Sequence, residues 1–211
     1  MEEILGVYMC AFFATFLSFI YYIYAKYIDM IRIVLANTKG GVGKSTISRS
    51  ISDFLEGDII DMDSQKTITQ SAMISGKKKP VTPSQAKGKF LVYDTAPYRS
   101  GALKEVLSIA DYLLVPVKSG FGDLLATKTL IREALEAKNI IKIGIFFNDV
   151  RKPVDNLHKE IRSHFIGNYK ELVLKTEISQ LSAFRNVLNE NLSAKAEKQI
   201  KSLLTEMKII N

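Results

Sequence analysis

A glycine-rich turn at residues 39–46 constrains the fold of this chain more than any other feature. It reads Lys-Gly-Gly-Val-Gly-Lys-Ser-Thr and stands between a short apolar segment, residues 31–36, and an amphipathic segment, residues 44–56. In a turn between a strand and a helix, glycines let backbone N–H groups approach phosphates without a Cβ in the way, and the amino end of the helix faces the anion. The sequence therefore predicts a phosphate-binding loop.

The residues of this loop have distinct predicted roles. Lys44 is expected to neutralise the β- and γ-oxygens of a nucleoside triphosphate, and the hydroxyl of Ser45 is expected to ligate Mg²⁺. The strict phosphate-loop pattern has a glycine five residues before Gly43, where this chain has Thr38. The residues predicted to bind the nucleotide are Gly40, Gly41, Val42, Gly43, Lys44, Ser45 and Thr46.

Apolar and amphipathic segments alternate along the rest of the chain, which predicts an α/β fold. The strand segments have a continuous apolar character, as expected for a mostly parallel sheet covered by helices on both faces. Gly57 is predicted to end the first helix in a left-handed conformation. The predicted strands are residues 31–36, 58–61, 90–94, 112–117 and 140–147, and the predicted helices are 44–56, 101–109, 122–137 and 193–208.

The turn from Lys39 to Thr46 resembles the deviant Walker A motif of the ParA/MinD family, a group of SIMIBI-type P-loop ATPases. In that family a signature lysine occupies the place of Lys39 and reaches across a nucleotide-sandwich dimer to the partner's phosphates. The resemblance therefore implies an ATP-dependent homodimer in which Lys39 acts catalytically in trans, much as an arginine finger does.

Three further motifs follow in the order that the family shows. Residues 59–65 resemble its second motif, which implies that Asp63 orients the attacking water and that Asp61 supports the Mg²⁺ shell. Residues 90–97 resemble Walker B, which implies that Asp94 holds Mg²⁺ through water. Asn148 stands where relatives place an asparagine on the adenine edge, and Asp123 also echoes the family pattern. Taken singly, each motif aspartate is as typical of a turn or a helix N-cap as of a functional site, and Asn148 is as typical of a turn as of an adenine contact.

The first 29 residues allow two interpretations. Residues 4–25 carry no charged side chain, and a helix of that length spans about 33 Å, against a hydrocarbon core of about 30 Å. A transmembrane helix is therefore predicted. Because Lys26 and Arg32 follow the span, residues 30–211 are expected on the cytoplasmic side, as an ATPase domain anchored to the inner membrane. Alternatively, residues 1–29 are an extension upstream of a true start at Met30.

The formal net charge of +7 favours polyanionic partners such as nucleic acid or an anionic membrane surface. Acidic residues are interspersed among the basic ones beyond residue 148, so an ordinary solvated face explains them equally well. Cys10 is the only cysteine, which excludes a disulfide framework, and His158 and His164 are isolated from any metal-ligand cluster. The predicted patch for non-specific DNA is Arg151, Lys152, Lys159, Arg162, Lys170, Lys175 and Arg185.

The expected function is that of a small partition ATPase, similar to plasmid and chromosome ParA proteins. ATP and Mg²⁺ would form a dimer that associates with DNA, and a ParB-like partner would trigger hydrolysis and release. One alternative is a membrane-tethered regulator or a relative of the bacterial tyrosine kinases, although residues 206–211 lack the tyrosine cluster of those kinases. Another is a scaffold that binds ATP but scarcely hydrolyses it.

Overall fold

A computed structural model describes residues 30–97, 101–137, 140–180 and 182–211. The predicted transmembrane segment, residues 4–25, lies outside this part of the chain. Among the residues that are described, no helix combines the length and the apolar character needed to cross a membrane.

Five parallel strands form one sheet. In the order β2-β3-β1-β4-β5, the first strand of the chain lies at the centre. Most residues of all five strands are buried, as expected for a sheet covered on both faces. The strands are β1 (Ile31–Leu35), β2 (Asp58–Asp61), β3 (Phe90–Asp94), β4 (Tyr112–Val117) and β5 (Lys142–Phe147).

Helices follow the strands and cover both faces of the sheet. The connection from β1 to β2 crosses the sheet in the opposite direction from those that lead from β3 to β4 and on to β5. Because such crossovers are right-handed, the first helix lies on one face, and the third and fourth lie on the other. The helices are α1 (Lys44–Phe54), α2 (Thr67–Ser75), α3 (Gly101–Ile109), α4 (Phe121–Glu136), α5 (Asn156–Tyr169), α6 (Ser182–Asn186) and α7 (Ala194–Glu206), with a 3₁₀ turn at Pro83–Gln85.

The α/β class and the parallel sheet are confirmed, and the predicted strands and helices lie within two residues of their observed bounds. Three helices, α2, α5 and α6, lie in stretches for which the sequence patterns give no helix bounds. The predicted cap at Gly57 is wrong. Glu56 takes the left-handed conformation, with φ 51°, whereas a Cβ on Gly57 would lie 2.9 Å from the carbonyl oxygen of Phe90. Gly57 therefore permits close approach to β3.

A chain segment beyond the fifth strand extends the sheet irregularly. The N–H of Ile145 donates to Leu172, and the N–H of Ile178 donates to Phe147, so that residues 172–180 run along the free edge of β5. The segment ends in a hydrogen bond from the N–H of Gln180 to the carbonyl of Val150, near the carboxyl end of the sheet. In open α/β sheets, ligands bind at this end.

Candidate nucleotide-binding site

The glycine-rich loop joins the carboxyl end of β1 to the amino end of α1. Gly41 and Gly43 have φ values of 72° and 93°, which L side chains rarely adopt. Gly43 is the N-cap residue of α1, and within the described structure no side chain caps that helix end. The N–H groups of its first turn are therefore available to an anion, which is the physical requirement of a phosphate site.

Asn148 locks this loop in place from the end of β5. Its Nδ2 donates a hydrogen bond to the carbonyl of Val42 at 2.8 Å. A Cβ added to Gly43 would lie 2.2 Å from the same nitrogen, well inside van der Waals contact. Gly43 is thus needed both for its backbone conformation and for the space that Asn148 fills.

Lys44 is a buried cation at the start of α1. Only 6 % of the residue is exposed, and its Nζ donates to the carbonyl of Lys39 at 3.2 Å. Burial lowers the pKa of Lys44, while the carboxylates of Asp94 and Asp63 act in the opposite direction. A desolvated ammonium group of this kind gains strongly from a bound anion.

Asp94 ends β3 and provides a site that fits a cation. Its Oδ1 accepts a hydrogen bond from Ser48 at 2.9 Å, whereas Oδ2 is buried and has no donor among the described residues. Burial raises the pKa of Asp94 to about 7, and the nearby hydroxyls of Ser45 and Ser48 lower it. A buried carboxylate oxygen without a donor, beside a serine hydroxyl, is a donor set that suits Mg²⁺.

Asp61 and Asp63 follow the neighbouring strand, β2, whose register sets Asp61 opposite Asp94. Both oxygens of Asp61 accept protein hydrogen bonds, Oδ1 from the N–H of Asp63 and Oδ2 from the N–H and hydroxyl of Thr69. Oδ1 of Asp63 accepts from the N–H of Gln65 at 3.0 Å. Asp61 therefore orders the turn that carries Asp63 close to Lys44.

Lys39 forms an ion pair with Asp123 of the same chain. Its Nζ lies 2.6 Å from Oδ2 of Asp123, whose side chain is fully buried at the start of α4, while the lysine side chain is 41 % exposed. The N–H of Lys118 also donates to this carboxylate. The sequence patterns single out both residues but do not pair them.

A cleft opens beside the phosphate loop. The phosphate loop, the ends of β4 and β5, the segment after β5 and α6 all contribute to its lining. The residues that line it are Gly41, Gly43, Thr46, Lys118, Asn148, Asp149, Ser179, Gln180 and Phe184. Ser179, Gln180 and Phe184 are not indicated by the sequence, because only the return of the chain along β5 brings them here.

The family of this chain follows from a match over most of its length. Residues 33–194 match the model of the CobQ/CobB/MinD/ParA nucleotide-binding domain. This chain belongs to that family. The predicted resemblance to ParA and MinD is confirmed, and no curated protein matches the sequence.

Several solved structures share the fold of this chain at low sequence identity. A plasmid partition protein from Borrelia burgdorferi B31, bound to AMPPNP, superposes with a TM-score of 0.68 at 20% identity, over 86% of this chain and 100% of the other. The pNOB8 ParA protein bound to nonspecific DNA gives 0.55 at 16%, over 86% and 100%. Cobyrinic acid a,c-diamide synthase from Mycobacterium smegmatis, with ADP and magnesium, gives 0.59 at 13%, over 85% and 96%.

His158 forms a hydrogen-bonded chain that the sequence does not indicate. Its Nδ1 lies 2.6 Å from the hydroxyl of Ser119, and its Nε2 lies 3.0 Å from Glu177. The buried ring also packs edge-on against Phe147. The described residues contain no cluster of three or more His, Cys, Asp or Glu side chains that could hold a metal ion. The two hydrogen bonds of His158 tie α5 to the loop after β4 and to the segment that carries Glu177.

The basic residues predicted to bind DNA do not form one uniform set. The guanidinium of Arg162 already has partners within the protein. It pairs with Glu177 and lies over the ring of Phe147, 5.4 Å from the ring centroid. The side chain of Arg185 lies outside the described part of the chain. The exposed members are Arg151, Lys152, Lys159, Lys170 and Lys175.

The raised pKa of Asp94 makes the stability of the magnesium-free protein depend on pH. The ordinary pKa of the Asp94 carboxyl is 3.8, and its pKa in the folded protein is about 7. Between these two pH values the carboxyl is protonated in the folded protein and ionised in the unfolded chain. The free energy of unfolding therefore falls as pH rises through that window. The full contribution is up to about 4 kcal/mol. Urea unfolding in EDTA at several pH values should show this loss in the wild type and not in Asp94→Asn; parallel profiles of the two proteins would contradict it.

Proposed function

We propose that this chain binds ATP with Mg²⁺ on the phosphate loop and hydrolyses it. The observation that carries the proposal is the buried ammonium of Lys44, which faces Asp63 and Asp94 beside an uncapped helix end. The buried charges of Lys44 and Asp94 are poorly compensated by the protein alone. A bound anion would pair with the ammonium, and a bound cation would pair with the carboxylate. The AMPPNP bound to the Borrelia burgdorferi partition protein supports the same ligand class.

The chain offers residues for both parts of this ligand. Lys44 and the N–H groups of the loop would bind the phosphates, and Asn148 would bind on the adenine side of the cleft. Ser45 and Asp94 would hold Mg²⁺, with Asp61 ordering the adjacent turn. When bound, the ion neutralises charge on the phosphate oxygens.

Hydrolysis would depend on positioning and charge. Asp63 is buried, with 8 % of the residue exposed, and lies close enough to Lys44 for the two charges to interact. Its carboxylate would accept a hydrogen bond from the attacking water and align it with the γ-phosphate. Lys44 would stabilise the charge that develops on the phosphate oxygens. Loss of turnover with retained binding in Asp63→Asn would support this role.

Lys39 is proposed to act across an ATP-dependent homodimer. Its side chain is partly exposed, and among the described residues its ammonium pairs with one carboxylate, that of Asp123, which it would exchange for a phosphate of the second copy. Lys39→Ala should keep nucleotide affinity within about threefold, because Lys44 and the loop glycines remain, and should lose the dimer formed with a non-hydrolysable ATP analogue, because the contact in trans is removed. The ion pair with Asp123 is lost as well. Light scattering measures this, with Lys104→Ala on α3 as the control, and an unchanged dimer for Lys39→Ala would refute the sandwich arrangement.

A role in DNA partition or positioning is proposed for the ATP-bound dimer. The exposed cations on and around α5 and the DNA-bound pNOB8 ParA structure support this reading. The full chain should bind non-specific duplex DNA only with ATP and Mg²⁺, and the affinity should fall steeply as salt rises, because phosphate contacts release counterions. Fluorescence anisotropy with labelled DNA measures it. Binding that is the same with and without ATP would remove the partition role.

A further inference from the structure

One face of α4 exposes two large apolar side chains close to the phosphate site. Phe121 is 56% exposed and Leu125 is 72% exposed, one helical turn apart and therefore on the same side. The opposite side of the helix is buried and carries Asp123, Thr127, Leu130, Ile131 and Ala134. Core packing therefore accounts for one side of α4 and leaves Phe121 and Leu125 without a partner among the described residues.

This pair, the apolar seam, is continuous with the mouth of the nucleotide site. A Cβ added to Gly122, between the two seam residues in sequence, would lie 3.6 Å from Nζ of Lys39. Gly40 and Gly41 of the phosphate loop are also exposed, and nothing lies within 4 Å of a Cβ added to Gly41. The seam, Lys39 and the open side of the loop therefore belong to one surface.

We propose that the apolar seam is the part of the subunit contact that packs against a second copy of this chain when ATP is bound. The inference rests on the proposed ATP-dependent homodimer and assigns it an apolar contact. In a two-fold dimer the same patch occurs on both subunits, so that Phe121 and Leu125 can bury each other's apolar surface. Lys39 lies at the border of the seam, beside Gly122.

The size of the seam accounts for the dependence on nucleotide. Two partly exposed side chains offer far less than the roughly 800 Å² per partner that a standard interface buries. The seam alone is thus too small for a stable dimer and needs the contacts made through bound ATP.

Transfer of Lys39 also has a cost that the seam offsets. When the ammonium moves to a phosphate of the second copy, the fully buried carboxylate of Asp123 loses its ion-pair partner and keeps the N–H of Lys118. Loss of one member of a buried pair is unfavourable. Burial of Phe121 and Leu125 in the same step is favourable and makes the exchange possible.

The test uses the full chain with a non-hydrolysable ATP analogue and Mg²⁺. Phe121→Gln and Leu125→Gln, made separately, should each raise the dimer dissociation constant at least tenfold in sedimentation experiments, while analogue affinity and thermal midpoint stay at wild-type values. The matched control is Leu135→Gln, because Leu135 is 63% exposed near the other end of the same helix; this variant should dimerise as the wild type does.

The outcomes separate this inference from the proposed function. A wild-type dimer that both seam variants form equally well would overturn the inference and leave the ATP-dependent homodimer intact, with the seam assigned to another partner. A wild-type chain that binds the analogue and stays monomeric would overturn both. Weakening by Leu135→Gln to the same extent would also overturn it, because the effect would then not belong to the surface beside Lys39.

Discussion

Lys44→Ala is expected to lower the affinity for ATP by about 100-fold or more. The ammonium of Lys44 is 6 % exposed, so a phosphate would pair with a cation that has already lost most of its water. Removing one partner of such a charge-assisted contact costs about 3 kcal/mol, which corresponds to a factor of roughly 100. Titration of a fluorescent ATP analogue into the wild type and the variant measures the change.

Lys44→Ala should lower the affinity for ATP without lowering the stability of the fold. Lys128→Ala, on the exposed side of α4, is the control for removal of a positive charge and should bind ATP as the wild type does. Because burial disfavours the charged form of Lys44, its removal should leave the thermal midpoint of the nucleotide-free protein close to the wild-type value. An affinity within threefold of wild type for Lys44→Ala would place the phosphates elsewhere.

Gly43→Ala should disrupt the phosphate loop, whereas Gly41→Ala should disturb it much less. Both glycines have positive φ, so each substitution costs about 1–2 kcal/mol in backbone strain. Only at Gly43 would the new Cβ also meet Nδ2 of Asn148, at 2.2 Å, and break its hydrogen bond to Val42. That bond contributes about 1 kcal/mol, and the clash adds to its loss.

We therefore expect Gly43→Ala to lower the free energy of unfolding by about 2–4 kcal/mol and ATP affinity by about tenfold or more. Urea unfolding and nucleotide titration measure the two effects. In the double variant Gly43→Ala/Asn148→Ala the clash is absent, so the two changes should be less than additive. Equal losses for Gly41→Ala and Gly43→Ala, or full additivity in the double variant, would show that Asn148 does not lock the loop.

The local features of this protein could be predicted because each rests on neighbouring residues. The glycine turn between an apolar strand and a helix, the order of the strands along the chain and the aspartates at strand ends all follow from short-range patterns. Asp61 and Asp94 could be expected at one edge of the sheet because parallel strands end together, and their register confirms that placement.

Contacts between distant segments could not be predicted. The pairing of Lys39 with Asp123 and the packing of Asn148 against Gly43 depend on loops that meet only after the sheet has formed. Glu56, in a left-handed conformation next to a glycine, shows a different reason. Gly57 is needed because a larger residue would not fit against β3. Rules of helix capping consider only the local backbone and do not include such a contact.

The most direct test of the proposed nucleotide site is calorimetric titration of ATP into the full-length chain, with Mg²⁺ and with EDTA. We expect uptake of a single nucleotide per chain, tight with Mg²⁺ and weak without it, because Ser45 and Asp94 are proposed to hold the ion beside the phosphates that Lys44 is proposed to bind. No uptake of ATP in the presence of Mg²⁺ would contradict the assignment of the loop at residues 39–46 as a nucleotide site.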